Sequence, residues 1–271
     1  MKHRILLALF LLEVCCLSAQ KPTSYATVSD IPYYTEEARA SNAYLAQRCV
    51  LDVYYPSNAK NFLTVVWFHG GGLTGGEKHI PAALKEQGFC VVAVSYRLHP
   101  QATCPAYIED AAAAVAWVFS HIAEYGGNPD AVVLSGHSAG AYLSGMVGLD
   151  KRWLQAHRID ANRIAGLFLL SAQTVTHYTI RKERNIPNMQ PVVDEYALLY
   201  HVRSNAPPIY LMTGDRELEM LGRYEENAYL WRMLKLTGNT QATLYEFDGY
   251  GHDMLAPAFP LMVAALRAIA H

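Results

Sequence analysis

Charge is scarce in this sequence of 271 residues. Asp, Glu, Lys and Arg make up 17% of it, 24 acidic against 22 basic, for a net charge of −2. No Lys/Arg tract occurs, so the footprint of a nucleic-acid-binding surface is missing, as is that of an electrostatic membrane attachment. Cysteine is rare too, with five residues. None of them forms a CxxC pair, which leaves a structural zinc site without its usual ligands. Beyond the N-terminus no run reaches 18 apolar residues, so no further membrane-spanning helix is expected. What the chain does have is apolar surface: 52% of its residues are hydrophobic. That suits one large domain with a sizeable core and excludes a disordered chain.

The first twenty residues, MKHRILLALFLLEVCCLSAQ, stand apart. Lys2, His3 and Arg4 precede eight uninterrupted apolar residues, Ile5 to Leu12, and small residues close the segment. A basic head followed by a short apolar stretch is the pattern of a secretory signal, so residues 1–20 are read as a leader and 21–271 as the domain. A secreted or periplasmic location follows as an expectation. A lipid anchor at Cys15 or Cys16 is the lesser alternative, because Leu12-Glu13-Val14 lacks the small residues such a signal prefers. After cleavage Cys49, Cys90 and Cys104 remain, an odd number that permits one disulfide or none.

From residue 49 onward strand-like and helix-like runs alternate. The strands expected are Cys49–Tyr54, Leu63–Phe68, Cys90–Tyr96, Ala131–Leu134, Ile164–Leu170, Ile209–Thr213 and Ala242–Phe247. Helices are expected at Pro81–Gln87, Tyr107–Tyr125, Ala139–Leu149, Tyr224–Leu236 and Leu261–Ala270. Several strands, among them LTVVWF and CVVAVSY, are continuous apolar runs, the mark of strands covered on both faces. The expected fold class is therefore α/β, a mostly parallel sheet between helices. Residues 173–205 break the alternation and read as a small cap inserted over the C-terminal edge of the sheet, where such folds bind ligands.

Two glycine-rich turns carry the chemistry. In VVLSGHSAGAYLSGM (132–146) a short apolar strand runs through Gly136, Ser138 and Gly140 into a helix of small residues. Glycines two before and two after the serine mark a crowded turn with Ser138 at its apex. In FHGGGLTGGEKH (68–79) three consecutive glycines follow a strand. Their backbone N–H groups can approach an anion with no side chain in the way. The segment has neither the lysine of a P-loop nor a GxGxxG pattern, so a donor loop for an oxyanion explains it better than a phosphate loop.

HGGG after one strand, GHSAG after a later one and a histidine near the C-terminus together resemble the α/β-hydrolase superfamily. Within it they are similar to the esterase/lipase group of hormone-sensitive-lipase-like and acetyl- or feruloyl-esterase-like enzymes. YIEDAAAAVAWVFSHIAEYGGNPDAVVLSGHSAGAYL (107–143), with Asp110 in its helix, and SYRL (95–98) extend the likeness over roughly residues 45–271.

The resemblance implies Ser138 as nucleophile and the chain order serine, acid, histidine. His157, His177, His201, His252 and His271 follow Ser138. His252, flanked by Gly249 and Gly251 just past a strand, is the base expected. His69 and His137 are expected to be structural. The oxyanion donors implied are the N–H groups of Gly71, Gly72 and Ala139. The acid falls in PPIYLMTGDRELEML (207–221). Similar hydrolases carry it third after the glycine, which selects Glu217; Asp215 is the alternative, and Glu219 ranks below both because the chain is expected to have turned away by then. The function implied is a serine carboxylesterase of short-chain esters, of small molecules or carbohydrates, with no cofactor or metal. An amide-directed hydrolase and a catalytically silent binding protein are the rivals.

Overall fold

The computed structural model describes residues 23–270; the leader expected at residues 1–20 and His271 lie outside them. Among the described residues there are eight strands: β1 (Tyr25–Pro32), β2 (Val50–Pro56), β3 (Phe62–Phe68), β4 (Cys90–Val94), β5 (Gly127–His137), β6 (Gly166–Leu170), β7 (Ile209–Gly214) and β8 (Ala242–Phe247). Eight helices join them: α1 (Glu36–Ser41), α2 (Ala43–Arg48), α3 (Ala106–His121), α4 (Ala139–Leu149), α5 (Lys151–Gln155), α6 (Tyr178–Glu183), α7 (Arg223–Leu236) and α8 (Leu255–Ile269). The strands form one sheet in the order β1-β2-β4-β3-β5-β6-β7-β8. β2 pairs antiparallel with β1 and β4, and every pairing from β4 to β8 is parallel. This is the α/β-hydrolase fold. No helix among the described residues is long and apolar enough to cross a membrane.

The continuous apolar strands are buried on both sides, as their composition requires. β3, β4 and β6 are buried at every position. Alternate residues feed two cores, one on each face. Val66, Phe68, Val92 and Leu134 pack with α3, α4 and α7, while Val65, Trp67, Val91 and Val133 pack with α8. Leu230 and Leu234 of α7 belong to the first core; Met262 and Leu266 of α8 belong to the second.

Three expectations need correction. The run 81–87 is no α-helix: it holds a single 3₁₀ turn, Ala82–Leu84, and the chain is already extended at Lys85. The C-terminal helix begins at Leu255, six residues before the position expected. β1 is an unexpected strand: its middle residues, Thr27 to Asp30, are exposed and mostly polar, as an edge strand allows. Cys49, Cys90 and Cys104 are all free thiols.

A buried ion pair braces the end of the sheet that carries the glycine loop. Asp110 of α3 is fully buried and accepts from the Tyr34 hydroxyl, the Arg97 backbone N–H and the Arg97 guanidinium, the last as close as 2.6 Å. Hydrogen bonding to Asp110 holds the Arg97 guanidinium above its ordinary pKa. Two residues on, the His99 N–H donates to the Leu73 carbonyl inside the loop that follows β3. Asp110→Asn keeps the shape but leaves Arg97 short of its counter-charge, so we expect a loss of about 3 kcal/mol in unfolding free energy measured in urea. A change under about 1 kcal/mol would show that the pair contributes little.

Candidate active site

β3, β5, β6, β7 and β8 lie side by side and parallel, so the loops after them meet along one sheet edge. Ser138 stands at the tip of the β5–α4 turn with φ 55° and ψ −117°, a conformation few non-glycine residues adopt. The flanking glycines explain how the turn fits. A Cβ at Gly136 would lie 2.6 Å from the Phe68 carbonyl oxygen, and one at Gly140 would collide with that same carbonyl. The turn is also fastened to β6, because the Ser138 N–H donates to the Leu170 carbonyl at 2.8 Å.

His252 lies beside the serine, its Nε2 3.0 Å from Ser138 Oγ. Its Nδ1 is 2.8 Å from Oε1 of Glu219 and 2.8 Å from Oγ of Ser171. A carboxylate only accepts, so Nδ1 carries the proton, and the lone pair of Nε2 is free to take the serine proton. Ser171 in turn donates its hydroxyl to Glu219 Oε2 at 2.9 Å. Burial raises the Glu219 carboxyl, but the hydrogen bond and charge of His252, the Met220 N–H and the Ser171 hydroxyl together outweigh it and bring the pKa down to about 2.

Glu219 is therefore the residue brought to His252, in place of Glu217. The chain after β7 does not run extended. The Glu219 N–H donates to the Asp215 carbonyl at 2.8 Å and the Leu218 N–H to the same carbonyl. One helical turn swings residue 219 back under the strand end, where its Oε2 also accepts from the Gly214 N–H. Glu217 is exposed. Asp215 forms the turn as expected of it, accepting from the N–H groups of Glu217 and Gly249. Gly214 permits the close approach on which this depends, since a Cβ there would lie 2.5 Å from the Tyr250 carbonyl oxygen in the loop that carries His252. The spacing Asp215–Glu219, four residues, was the available signal: it is the span of one helical turn.

The glycine loop packs directly on the serine turn; a Cβ at Gly70 would touch Ser138 Cβ at 3.6 Å. Gly71 has φ 111° and Gly72 φ 64°. Among the described residues the N–H groups of Gly71, Gly72 and Ala139 have no acceptor, and Ala139 opens an 11-residue helix, whose N-terminus favours negative charge. His69 Nδ1 donates to the Gly70 carbonyl at 2.7 Å and its ring stacks on Tyr96. Burial pulls its pKa down to about 4, so the ring is neutral at neutral pH. His137 Nε2 donates to the His252 carbonyl at 2.9 Å. Both histidines hold loops in place.

Ser171, buried and at φ 52°, had no signal in the sequence. Arg223 of α7 donates to its carbonyl oxygen and, through Nε, to Glu226 at 3.1 Å. The segment between β6 and β7 then folds over the site. Thr179 of α6 donates to the Gly72 carbonyl, the Tyr178 hydroxyl fills the space a side chain at Gly72 would need, and Tyr142 of α4 donates to the Tyr196 carbonyl.

Two outcomes follow. Because the folded carboxyl of Glu219 sits near 2, below its ordinary 4.5, the stability it contributes is complete above about 4.5 and lost as pH falls toward 2. The urea midpoint of Glu219→Gln should thus fall less steeply than that of wild type between pH 5 and about 2; parallel curves would contradict this. Ser171→Ala should lower kcat about tenfold with little change in KM, the loss expected when a group that orients a histidine is removed. A lowered melting temperature with kcat intact would mean that Ser171 only supports the fold.

The family model BD-FAE matches residues 51–199, more than half of the chain. Probable carboxylic ester hydrolase LipM of Mycobacterium tuberculosis is 31% identical over 168 residues, 54% of this chain and 39% of that protein. Probable isoprenylcysteine alpha-carbonyl methylesterase ICMEL1 of Oryza sativa subsp. japonica is 28% identical over 216 residues, 77% of this chain and 48% of that protein. The chain thus spans less than half the length of these curated relatives. Among solved structures, a truncated form of a carbohydrate esterase from gut microbiota superposes with a TM-score of 0.72 at 17% identity, over 93% of this chain and 98% of that one, a likeness of fold. Spanning the glycine loop, the serine turn and part of the β6–β7 segment, the family match makes this chain a member of the BD-FAE family of α/β-hydrolases.

Proposed function

We propose that the protein is a serine carboxylesterase that works through an acyl-enzyme at Ser138, with His252 as base and Glu219 as the acid that orients it. The reading rests above all on the hydrogen-bonded line Ser138 Oγ, His252 Nε2 and Nδ1, Glu219 Oε1, at 3.0 and 2.8 Å. The names of the relatives, an ester hydrolase and a methylesterase, support it.

In this mechanism Ser138 attacks the ester carbonyl while its proton passes to His252 Nε2. The carbonyl oxygen becomes an oxyanion held by the N–H groups of Gly71, Gly72 and Ala139, where each donor is worth about 3 kcal/mol. Collapse expels the alcohol, which takes the proton from His252, and leaves the acyl group on Ser138. Water then attacks, again giving its proton to His252, and the acid is released from the regenerated serine. Glu219 keeps the proton on Nδ1 and stabilises the imidazolium in both halves.

The β6–β7 segment, 173–205, acts in this reading as a small cap. With no long apolar insertion, the site should favour acyl chains of about two to four carbons. Acetyl or feruloyl esters of carbohydrates are the substrates we favour, a preference supported by the family resemblance. Export is supported by the basic and apolar pattern of residues 1–20.

The test is a series of p-nitrophenyl esters of rising chain length, with a p-nitroanilide beside it, on wild type and Ser138→Ala. We expect turnover highest on the short esters, little on the anilide, and a fall of at least about four orders of magnitude in the folded variant. Near-normal turnover by Ser138→Ala would overturn the mechanism, and an optimum at ten carbons or more would overturn the substrate class.

A further inference from the structure

The segment after β6 and the start of α7 enclose a hollow of about 460 Å³, lined by Gln173, Arg181, Met189, Leu221, Glu226 and Tyr229 among others. Its volume suits a small ligand. It adjoins the site through the chain itself. Gln173 is two residues beyond Ser171, and Gly222 on its wall precedes Arg223, which bonds Ser171. Gln173 also accepts, through Oε1, from the N–H of Tyr178, the residue whose hydroxyl abuts Gly72. None of the residues lining the hollow has a part in the mechanism above.

The polar groups of this hollow do not balance. Arg181 is 4% exposed, yet no carboxylate lies within ion-pair distance of its guanidinium among the described residues. Its Nε donates to the Thr176 carbonyl and its Nη1 to the carbonyls of Asn188 and Gln190, which leaves Nη2 without an acceptor. Burial accordingly lowers its pKa, and Glu226 offsets this in part. Gln173 is 5% exposed, and its Nε2 likewise has no acceptor. Glu226 faces the same space but is already committed, to Arg223 and to the N–H groups of Thr174 and Val175. Glu225 on the wall is paired with Arg216 at 3.3 Å. With Glu226 ion-paired to Arg223, Arg181 is left without a carboxylate partner of its own. Neither Arg181 Nη2 nor Gln173 Nε2 is sealed away from solvent, so both stand as open donors on the wall of the hollow, where a charged acceptor would gain a charge-assisted hydrogen bond. The mouth is apolar instead: Met189, Leu221 and Tyr229 are 78%, 62% and 56% exposed.

We propose that this hollow is an anion-binding subsite for the remote part of the substrate: the carboxylate of an aromatic or short apolar body is received by Arg181 Nη2 and Gln173 Nε2 while the body lies on Met189, Leu221 and Tyr229. The inference rests on the ester-hydrolase reading for its place in catalysis and extends it to esters whose far end carries a carboxylate.

Calorimetric titration of the full chain with phenylacetate, and with phenylacetamide as its neutral counterpart, tests it without turnover. Wild type should bind phenylacetate at least about tenfold more tightly than the amide, the scale of one charge-assisted hydrogen bond. Gln173→Glu keeps an oxygen for the Tyr178 N–H and adds a negative charge beside Arg181, so the preference should vanish or reverse. Arg181→Met should also abolish it. Because that variant gives up three carbonyl contacts that order its segment, Gln173→Glu is the deciding one. Equal affinity for the two ligands in wild type, or a carboxylate preference that survives Gln173→Glu, would overturn the proposal; the second result would point to binding at the oxyanion donors. Failure of wild type to hydrolyse p-nitrophenyl acetate would count against the proposed activity and not against the measured anion site.

Discussion

The close approach of the β5–α4 turn to the end of β3 is the constraint on which the site depends. Two parallel strands adjacent in the sheet end at the same level, and the turn after β5 must reverse against the Phe68 carbonyl. Only glycine fits at 136 and 140, and Ser138 between them is held at φ 55°. That strained position lifts its hydroxyl out of the turn and aims the first N–H groups of α4 at the same point. The glycine loop leaves the very strand end against which the turn packs, so Ser138 and the N–H groups of Gly71 and Gly72 are positioned by one contact. Strain of this kind, of the order of 1–3 kcal/mol, persists only where surrounding packing imposes it. Fully buried strands on both sides supply that packing.

The second requirement is electrostatic. Glu219 is withdrawn from water yet kept ionised, because His252, Ser171 and the N–H groups of Gly214 and Met220 all donate to it. The donors come from three strand ends, Ser171 after β6, Gly214 and Met220 at and after the end of β7, and His252 after β8, so the acid is fixed by their convergence. The same convergence fixes the tautomer of His252. Arg223 and Glu226 extend the network outward to the wall of the hollow between the β6–β7 segment and α7.

Much of this was legible in the residues. Continuous apolar runs announced strands covered on both faces, and the glycines around Ser138 and after Phe68 announced two crowded turns. Those signals are local and steric, so they survive without knowledge of the fold. The acid was not legible in the same way. An extended turn would bring Asp215 and Glu217 to one side, whereas the chain forms a helical turn and presents Glu219; the choice is made by the Asp215 carbonyl and the approach of Gly214 to Tyr250, contacts that join distant segments. Ser171 was invisible for a related reason, being a serine among serines until β6 and β7 bring it to Glu219. The edge strand β1 was missed because an exposed strand has no need of apolar residues.

The most direct measurement of the triad is the rate at which Ser138 becomes acylated. Rapid mixing with p-nitrophenyl acetate, followed by mass analysis of the trapped protein, reads acylation of that one side chain in Glu219→Gln and Glu217→Gln. The triad described here predicts acylation slowed by about 10⁴ in Glu219→Gln, as when a triad carboxylate becomes an amide, and near wild-type acylation in Glu217→Gln. Rapid acylation of Ser138 in Glu219→Gln with slow acylation in Glu217→Gln would contradict it.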